Sequence, residues 1–240
     1  MERKEIIKML SMNYISLINY LNKKYGNVPG NYFVNRNCKT KNEKIRRTKE
    51  GLYIHHNKED ICPDLGNSEG ASSNPFEYQS SENLVYCNIL EHLILHIKIV
   101  ETINEGCLCG VGGIENFIVP EINDYFNGYK EFQNYKFNSL NLINNNFYEY
   151  IECLEFYLDK VYEKKWLKDF GFGNTVTLSR GCYTEINEEI YSKLNEKARL
   201  IEINNIKNSF CPDFNTELCK SGKCIKENSR CRMKKFLLIK

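Results

Sequence analysis

The sequence predicts an α+β fold in which two short strands and a buried helix are framed by further helices. Apolar residues recur at helical spacing near the start of the chain, in residues 3–25, and again in residues 147–168. Between these regions, the short runs Leu52–Ile54 and Leu84–Cys87 have the β-branched and aromatic composition of strands. Residues 89–103 are apolar enough for a buried helix.

The predicted elements have recognisable boundaries. The N-terminal helix, residues 3–25, ends at Gly26, and a turn with Pro29 and Gly30 follows it. Residues 57–82 are rich in Gly, Pro, Ser and Asn and are predicted to form a long loop. The two strands, this loop and the buried helix therefore form one continuous unit.

The region after the buried helix is predicted to be mostly helical, apart from a glycine-rich start. Residues 107–120 are predicted to be irregular, and Gly110–Gly113 is interpreted as a turn. The Gly-Lys-Ser/Thr of a phosphate-binding loop does not follow these glycines. A further helix is predicted over residues 185–203.

Charge is unevenly distributed although the formal net charge is only +2. Residues 36–58 contain eight Lys or Arg and two Glu, and residues 217–240 have the same counts. Two basic segments on a nearly neutral chain suit a protein that contacts phosphates on part of its surface, although solvated surface lysines would look the same.

The N-terminal segment and the cysteine content predict a cytoplasmic protein. The first 25 residues are amphipathic and charged, without the apolar core of a signal peptide. No run approaches 18 apolar residues, so no membrane association is expected. In this setting most of the 11 cysteines are expected to be buried thiols or metal ligands.

All four histidines of the chain belong to the strand, loop and helix unit. His55 and His56 end the first predicted strand, and His92 and His96 lie four residues apart on the predicted helix. Side chains at this spacing share one helix face and can reach one ion. Adjacent residues of a strand point to opposite faces, so His55 and His56 are expected to have different roles. The arrangement predicts a metal site.

The unit resembles the HNH nuclease finger, also called the ββα-metal or His-Me finger. The residues that carry the resemblance are His55-His56 at the end of Gly51–His56, Asn83 at the start of the second strand, and His92-x3-His96 after Glu91. The resemblance covers about residues 50–100. It implies a ββα-metal nuclease finger framed by an N-terminal helix and a mostly helical C-terminal region.

The resemblance also implies a role for each residue. His55, His92 and His96 would bind the metal ion, His56 would be the general base, and Asn83 would hold the loop or backbone that orients His56. The 26-residue loop is long for this family, and Asn57, Asn67, Asn74 and Asn88 are alternatives to Asn83. Three imidazoles favour zinc or another transition metal over magnesium by affinity, although the ion used could be of the Mg, Mn or Ni type.

Three further sets of residues are candidates for binding. Lys44, Arg46 and Arg47 precede the first strand and are predicted to contact nucleic acid near the scissile phosphate. Four thiols among basic residues near the C-terminus could bind a structural zinc ion, or could be free, buried or disulfide-bonded: Cys211, Cys219, Cys224 and Cys231. Cys107 and Cys109 fit either core thiols or a metal pair.

The resemblance thus implies a metal-dependent endonuclease acting in restriction, phage defence or a mobile element, and the resemblance alone favours DNA over RNA as its substrate. A cutter of both strands with one site per chain would act as a homodimer. The expected regions are a helical and basic segment at 1–48, the nuclease finger at 49–105, a helical region for target recognition at 106–205 and a cysteine-rich basic tail at 206–240. The alternative is a non-catalytic zinc protein that binds nucleic acid.

Overall fold

The computed structural model describes residues 1–126 and 132–173, which are mainly helical with one small antiparallel β-hairpin. This confirms the predicted α+β class. The helix predicted over 185–203 and the cysteine-rich tail lie outside the described residues. The helices of the described part are α1 (Arg3–Ser11), α2 (Tyr14–Tyr25), α3 (Ser68–Ser72), α4 (Ile89–Thr102), α5 (Val111–Gly113), α6 (Val119–Phe126), α7 (Asn134–Asn141), α8 (Phe147–Glu163) and α9 (Lys165–Asp169).

The N-terminal segment forms two helices, so the prediction of a single helix over 3–25 is wrong at its middle. Asn13 has an extended backbone, and its side chain accepts a hydrogen bond from the Ser16 amide at 2.8 Å. Such an asparagine satisfies an amide that has no partner within the helix, so a new helix begins there. The predicted end at Gly26 is confirmed, with φ at 81°.

The predicted strands form a hairpin of β1 (Tyr53–His56) and β2 (Leu84–Cys87). The strands are antiparallel, with His55 opposite Val85 and His56 opposite Leu84. The long connection between them is more ordered than the predicted loop, because it contains α3 and two short 3₁₀ turns. Leu65 and Gln79 of this connection are fully buried.

Helix α4 occupies the centre of the main core and is buried on nearly all sides. It begins at Asn88, whose side chain accepts hydrogen bonds from the amides of Leu90 and Glu91, while the Glu91 carboxylate accepts from the Asn88 amide. This reciprocal pair is a capping box. Lys24 of α2 donates a hydrogen bond to the same carboxylate at 2.7 Å, which joins α2 to the start of α4.

The glycine-rich region is helical from Val111 onwards, so the predictions of an irregular segment over residues 107–120 and of a turn at Gly110–Gly113 are wrong beyond Gly110. Gly110 has φ at 80°, and the helical stretch that follows it consists of α5, a π-helix (Ile114–Ile118) and α6. Val111 and Ile114 are fully buried in the core that contains α4. This packing stabilises a helix that Gly112 and Gly113 would disfavour in isolation.

The helix predicted over 147–168 is confirmed with one interruption, at Lys164, where α8 gives way to α9. Among the described residues, no helix combines the length and the apolar character needed to span a membrane.

Candidate metal centre

Four side chains converge between the hairpin and α4: His55, Glu59, His92 and His96. Each offers one ligand atom, and these atoms lie within 4.8 Å of one another. His55 comes from β1, Glu59 from the turn directly after it, and the other two histidines from one face of α4. The structure therefore brings together the three histidines expected to bind metal and adds a carboxylate.

Three of the distances between these atoms are close to those around a small tetrahedral ion. Nε2 of His92 and Nε2 of His96 are 3.1 Å apart. Oε2 of Glu59 is 3.4 Å from Nε2 of His96 and 3.5 Å from Nδ1 of His55. A tetrahedral zinc ion with bonds of about 2.0–2.1 Å separates its ligand atoms by about 3.3–3.4 Å. The residues present therefore fit a transition-metal ion.

Tyr14 of α2 orients His55. The Tyr14 hydroxyl lies 2.8 Å from Nε2 of His55 and 3.2 Å from the carbonyl oxygen of Asn57. Both contacts are hydrogen bonds at once only if the hydroxyl donates to the carbonyl and accepts from the imidazole N–H. The proton is then on Nε2, so Nδ1 presents a lone pair to the cluster.

Nδ1 of His55 is buried and has no hydrogen-bond partner. Such atoms are rare in folded proteins and call for an explanation. Four of them occur among the described residues, and three belong to the short stretch 55–60, namely those of His55, Asn57 and Asp60. A bound cation would satisfy the lone pair of His55.

The other two histidines are also held in place. Nδ1 of His96 donates to the carbonyl oxygen of Gly110 at 3.1 Å, which leaves the Nε2 lone pair facing His92. The ring of His92 is stacked on Tyr53, with ring centroids 5.9 Å apart. Hydrogen bonds from the second ring nitrogen, such as that of His96, are typical of metal-binding histidines because they fix the tautomer.

Burial changes the protonation of the cluster. It lowers the pKa of His96 to about 4, an effect partly offset by the hydrogen bond to Gly110. Burial and the neighbouring imidazoles also lower the pKa values of His55 and His92. Burial, with a smaller effect of Asp64, raises the pKa of Glu59 to about 8. In the absence of an ion the histidines are therefore neutral at pH 7 and Glu59 is largely protonated.

His56 lies beside the cluster without belonging to it. Its Nε2 contacts Oε1 of Gln79 at 2.9 Å, and its ring packs edge-on against Tyr32. Because the Gln79 oxygen can only accept, the proton is on Nε2 and the lone pair is on Nδ1. Nδ1 is 3.9 Å from Oε1 of Glu59. Burial, and to a lesser extent Lys41, lower the pKa of His56 to about 4, although the Gln79 hydrogen bond opposes this.

Asn83 does not touch His56. Its side chain donates hydrogen bonds to the carbonyl oxygen of Glu77 at 2.7 Å and to the Ser80 hydroxyl at 3.2 Å. Its own carbonyl accepts from the amide of Asn57, the residue after His56. Asn83 thus braces the segment that carries Gln79 and the backbone next to His56.

The predicted nucleic-acid-binding residues differ in their surroundings. Lys44 and Arg46 are exposed, and Arg46 pairs with Glu43 at 2.9 Å. Arg47 is engaged within the fold, because it donates to Glu50 and to the carbonyl oxygen of Tyr25 and lies over the Tyr86 ring.

Three residues that shape the site were not predicted from the sequence: Tyr14, Glu59 and Gln79. Only Glu59 had a local signal, since it lies four residues after His55. Cys107 and Cys109 belong to no converging group of three or more ligands within the described residues. The predicted zinc ligands Cys211, Cys219, Cys224 and Cys231 lie outside those residues.

Comparison with known proteins adds no further assignment: no family model, no curated protein and no solved structure matches the chain.

Proposed function

We propose that the protein is a metal-dependent endonuclease that hydrolyses phosphodiester bonds in DNA. The observation that carries this proposal is the position of His56. It is a neutral imidazole whose Nε2 is fixed by Gln79 and whose Nδ1 faces a cluster fitted to a metal ion. A cluster that served only to bind metal would not require this fifth side chain.

His56 is the proton acceptor in this mechanism. Nδ1 takes a proton from a water molecule as that water attacks phosphorus, a P–O bond forms, and the bond to the leaving oxygen breaks. The low pKa keeps His56 neutral over the physiological range. The negative charge of a bound phosphate would raise this pKa towards neutrality and so strengthen the base.

His55, Glu59, His92 and His96 would hold the ion. A divalent ion there supplies positive charge that stabilises the extra negative charge of the transition state and the leaving oxygen. Tyr14 and Gly110 keep the ligand lone pairs of His55 and His96 directed into the cluster. Asn83 would maintain the segment that carries Gln79, through its hydrogen bonds to Glu77 and Ser80.

A basic loop beside His56 supports a polyanionic substrate. The chain from Tyr32 to Asn42 turns back on itself, with Asn42 N donating to the Tyr32 carbonyl. This basic loop, residues 32–42, carries Arg36, Lys39 and Lys41. The ammonium of Lys41 lies 5.2 Å from the centre of the Tyr32 ring that packs on His56. Such cations favour contact with phosphates that flank a scissile bond.

The test uses the purified full chain and two variants, His56→Ala and His92→Ala. Each is assayed for plasmid cleavage with zinc, magnesium, manganese and nickel, with an EDTA control, and its bound metal is measured by elemental analysis. We expect His56→Ala to retain metal and lose about 10²- to 10⁴-fold in cleavage rate, as is typical for loss of a general base. His92→Ala should lose both. Undiminished cleavage by His56→Ala would contradict the proposal.

A second candidate function is a non-catalytic zinc protein, which the presence of Glu59 favours. Three histidines and one carboxylate complete a tetrahedron, as in structural sites, whereas catalytic sites keep one position for water. The two functions differ in what Glu59→Gln does. In a structural site the variant loses metal and stability, whereas in the nuclease three histidines retain the ion and cleavage persists at a reduced rate.

A further inference from the structure

Gly113, at the end of α5, lies directly against the imidazole of His96. A Cβ atom placed on Gly113 would be 2.4 Å from Cε1 and 2.6 Å from Nδ1 of that ring. Contacts this short do not occur between real side chains. The backbone of Gly113 is ordinary helix, with φ at −61° and ψ at −44°. Its conformation therefore does not require glycine, but the space next to His96 does.

Gly110 holds the same ring from the start of the helix. Its carbonyl oxygen accepts the Nδ1 hydrogen of His96, and its φ of 80° is a conformation that side chains rarely allow. A Cβ at Gly110 would also lie 2.9 Å from the backbone oxygen of His96. The two glycines thus contact the ring at its edge and at its N–H group.

The ring has little freedom to move away. His96 is 6% exposed and belongs to α4, whose neighbouring residues Leu95 and Ile97 are fully buried. Protein interiors are close-packed, so a displaced ring would have to enter occupied space. Any movement of the ring would also move Nε2 relative to His92 and Glu59.

We propose that Gly113 is a positioning residue for the metal centre. The missing side chain lets α5 lie against the imidazole and keeps Nε2 of His96 directed at the ion. This inference rests on the metal site of the proposed function but not on phosphodiester hydrolysis. It gives the glycine-rich segment a role in metal binding, in place of the phosphate binding for which glycine-rich loops are known.

The chain contains a matched control at the preceding residue. A Cβ on Gly112 would meet only Nδ2 of Asn116, at 3.7 Å, which is an ordinary contact. Both positions are helical, so alanine should favour the helix equally at each. The variants Gly113→Ala and Gly112→Ala therefore differ in the contact with His96.

The first measurement is titration of the full chain with cobalt(II), whose visible absorption reports tetrahedral coordination. We expect Gly113→Ala to bind cobalt about 10- to 100-fold more weakly than wild type, the range found when the support of a ligand is lost. Its absorption spectrum should change in shape. Gly112→Ala should match wild type in both. Equal affinity and equal spectra for the two variants would overturn the proposal.

A second measurement needs neither metal nor activity. Urea unfolding in EDTA compares Gly113→Ala in the wild-type background and in the His96→Ala background. If the methyl group collides with the imidazole, the substitution lowers the unfolding midpoint only when His96 is present. An equal loss of stability in both backgrounds would contradict the inferred collision with His96. If wild type binds no cobalt, the proposed metal site is wrong, whereas the comparison of the two backgrounds still tests the contact between Gly113 and His96.

Discussion

Gln79 provides the sharpest test of how His56 is held. Its side chain is fully buried; Oε1 accepts from Nε2 of His56 at 2.9 Å, and its own Nε2 donates to the carbonyl oxygen of Leu65 at 3.2 Å. Its backbone carbonyl separately accepts from the amide of Tyr32. Gln79→Leu removes both side-chain hydrogen bonds, keeps a similar volume and leaves the backbone contact possible.

The expected loss follows from the two groups left behind. The His56 N–H and the Leu65 carbonyl would each be buried without a partner, which costs about 1–3 kcal/mol apiece. The free energy of unfolding should therefore fall by about 2–6 kcal/mol. Without its acceptor, the imidazole also loses the preference that places the proton on Nε2, so cleavage should decrease while the metal content stays the same.

Urea unfolding of the metal-loaded protein measures the first effect, and plasmid cleavage with elemental analysis measures the second. Gln133→Leu is the matched control, because Gln133 is exposed and a surface substitution should change stability by less than about 0.5 kcal/mol. If Gln79→Leu were as stable and as active as this control, the inferred hydrogen-bond network around His56 would be refuted.

Three more predictions concern the metal, the acid stability and the substrate. Tyr14→Phe removes the acceptor of the His55 N–H and should weaken zinc binding about 10- to 100-fold in a chelator competition. Tyr86→Phe is the control, because it removes a hydroxyl that donates to the Ile45 carbonyl, and it should leave zinc binding unchanged. In EDTA, burial holds the pKa of His96 at about 4, below its ordinary value of 6.5. As the pH falls, the unfolded chain takes up this proton before the folded chain does, so the contribution of His96 to the free energy of unfolding is complete above pH 6.5. The free energy of unfolding should therefore fall by about 3 kcal/mol between pH 6.5 and 4 through His96. If His96→Ala showed the same dependence on pH in urea unfolding, this prediction would be wrong. Replacing Lys39 and Lys41 with alanine should make the dependence of DNA affinity on salt less steep, by the amount expected for the loss of about two phosphate contacts. The control replaces Lys4 and Lys23 with alanine. If the two double variants did not differ, the basic loop would be excluded as a DNA contact.

The parts of the fold that could be predicted from the sequence are those with local signals. Asn88 and Glu91 at the start of α4 and the predominantly apolar character of the helix are visible within a few residues. The four-residue spacing of His92 and His96 follows from the same helix. Asn13 also carried a local signal, since asparagine is a common helix-capping residue, and weighing it would have divided the N-terminal helix correctly.

The remaining features depend on contacts between distant residues. Gln79 reaches His56 across 23 residues, and Tyr14 reaches His55 across 41. No spacing rule covers such pairs, because the path of the long connection determines them. The glycine-rich segment was misjudged for a related reason: propensity disfavours a helix there, but burial against α4 outweighs the propensity.

Helix α4 is at once the central helix of the core and the carrier of two ligand residues, and this affects which ions the protein can accept. Calcium and magnesium prefer shells of six or more oxygen ligands, whereas the cluster offers three imidazole nitrogens and one carboxylate. Two of these nitrogens cannot be withdrawn easily, because His92 and His96 are fixed to a helix whose Leu93 and Leu95 are fully buried. The packing of apolar side chains thus maintains a nitrogen-rich ligand set, and substitutions in the core become a means of weakening it.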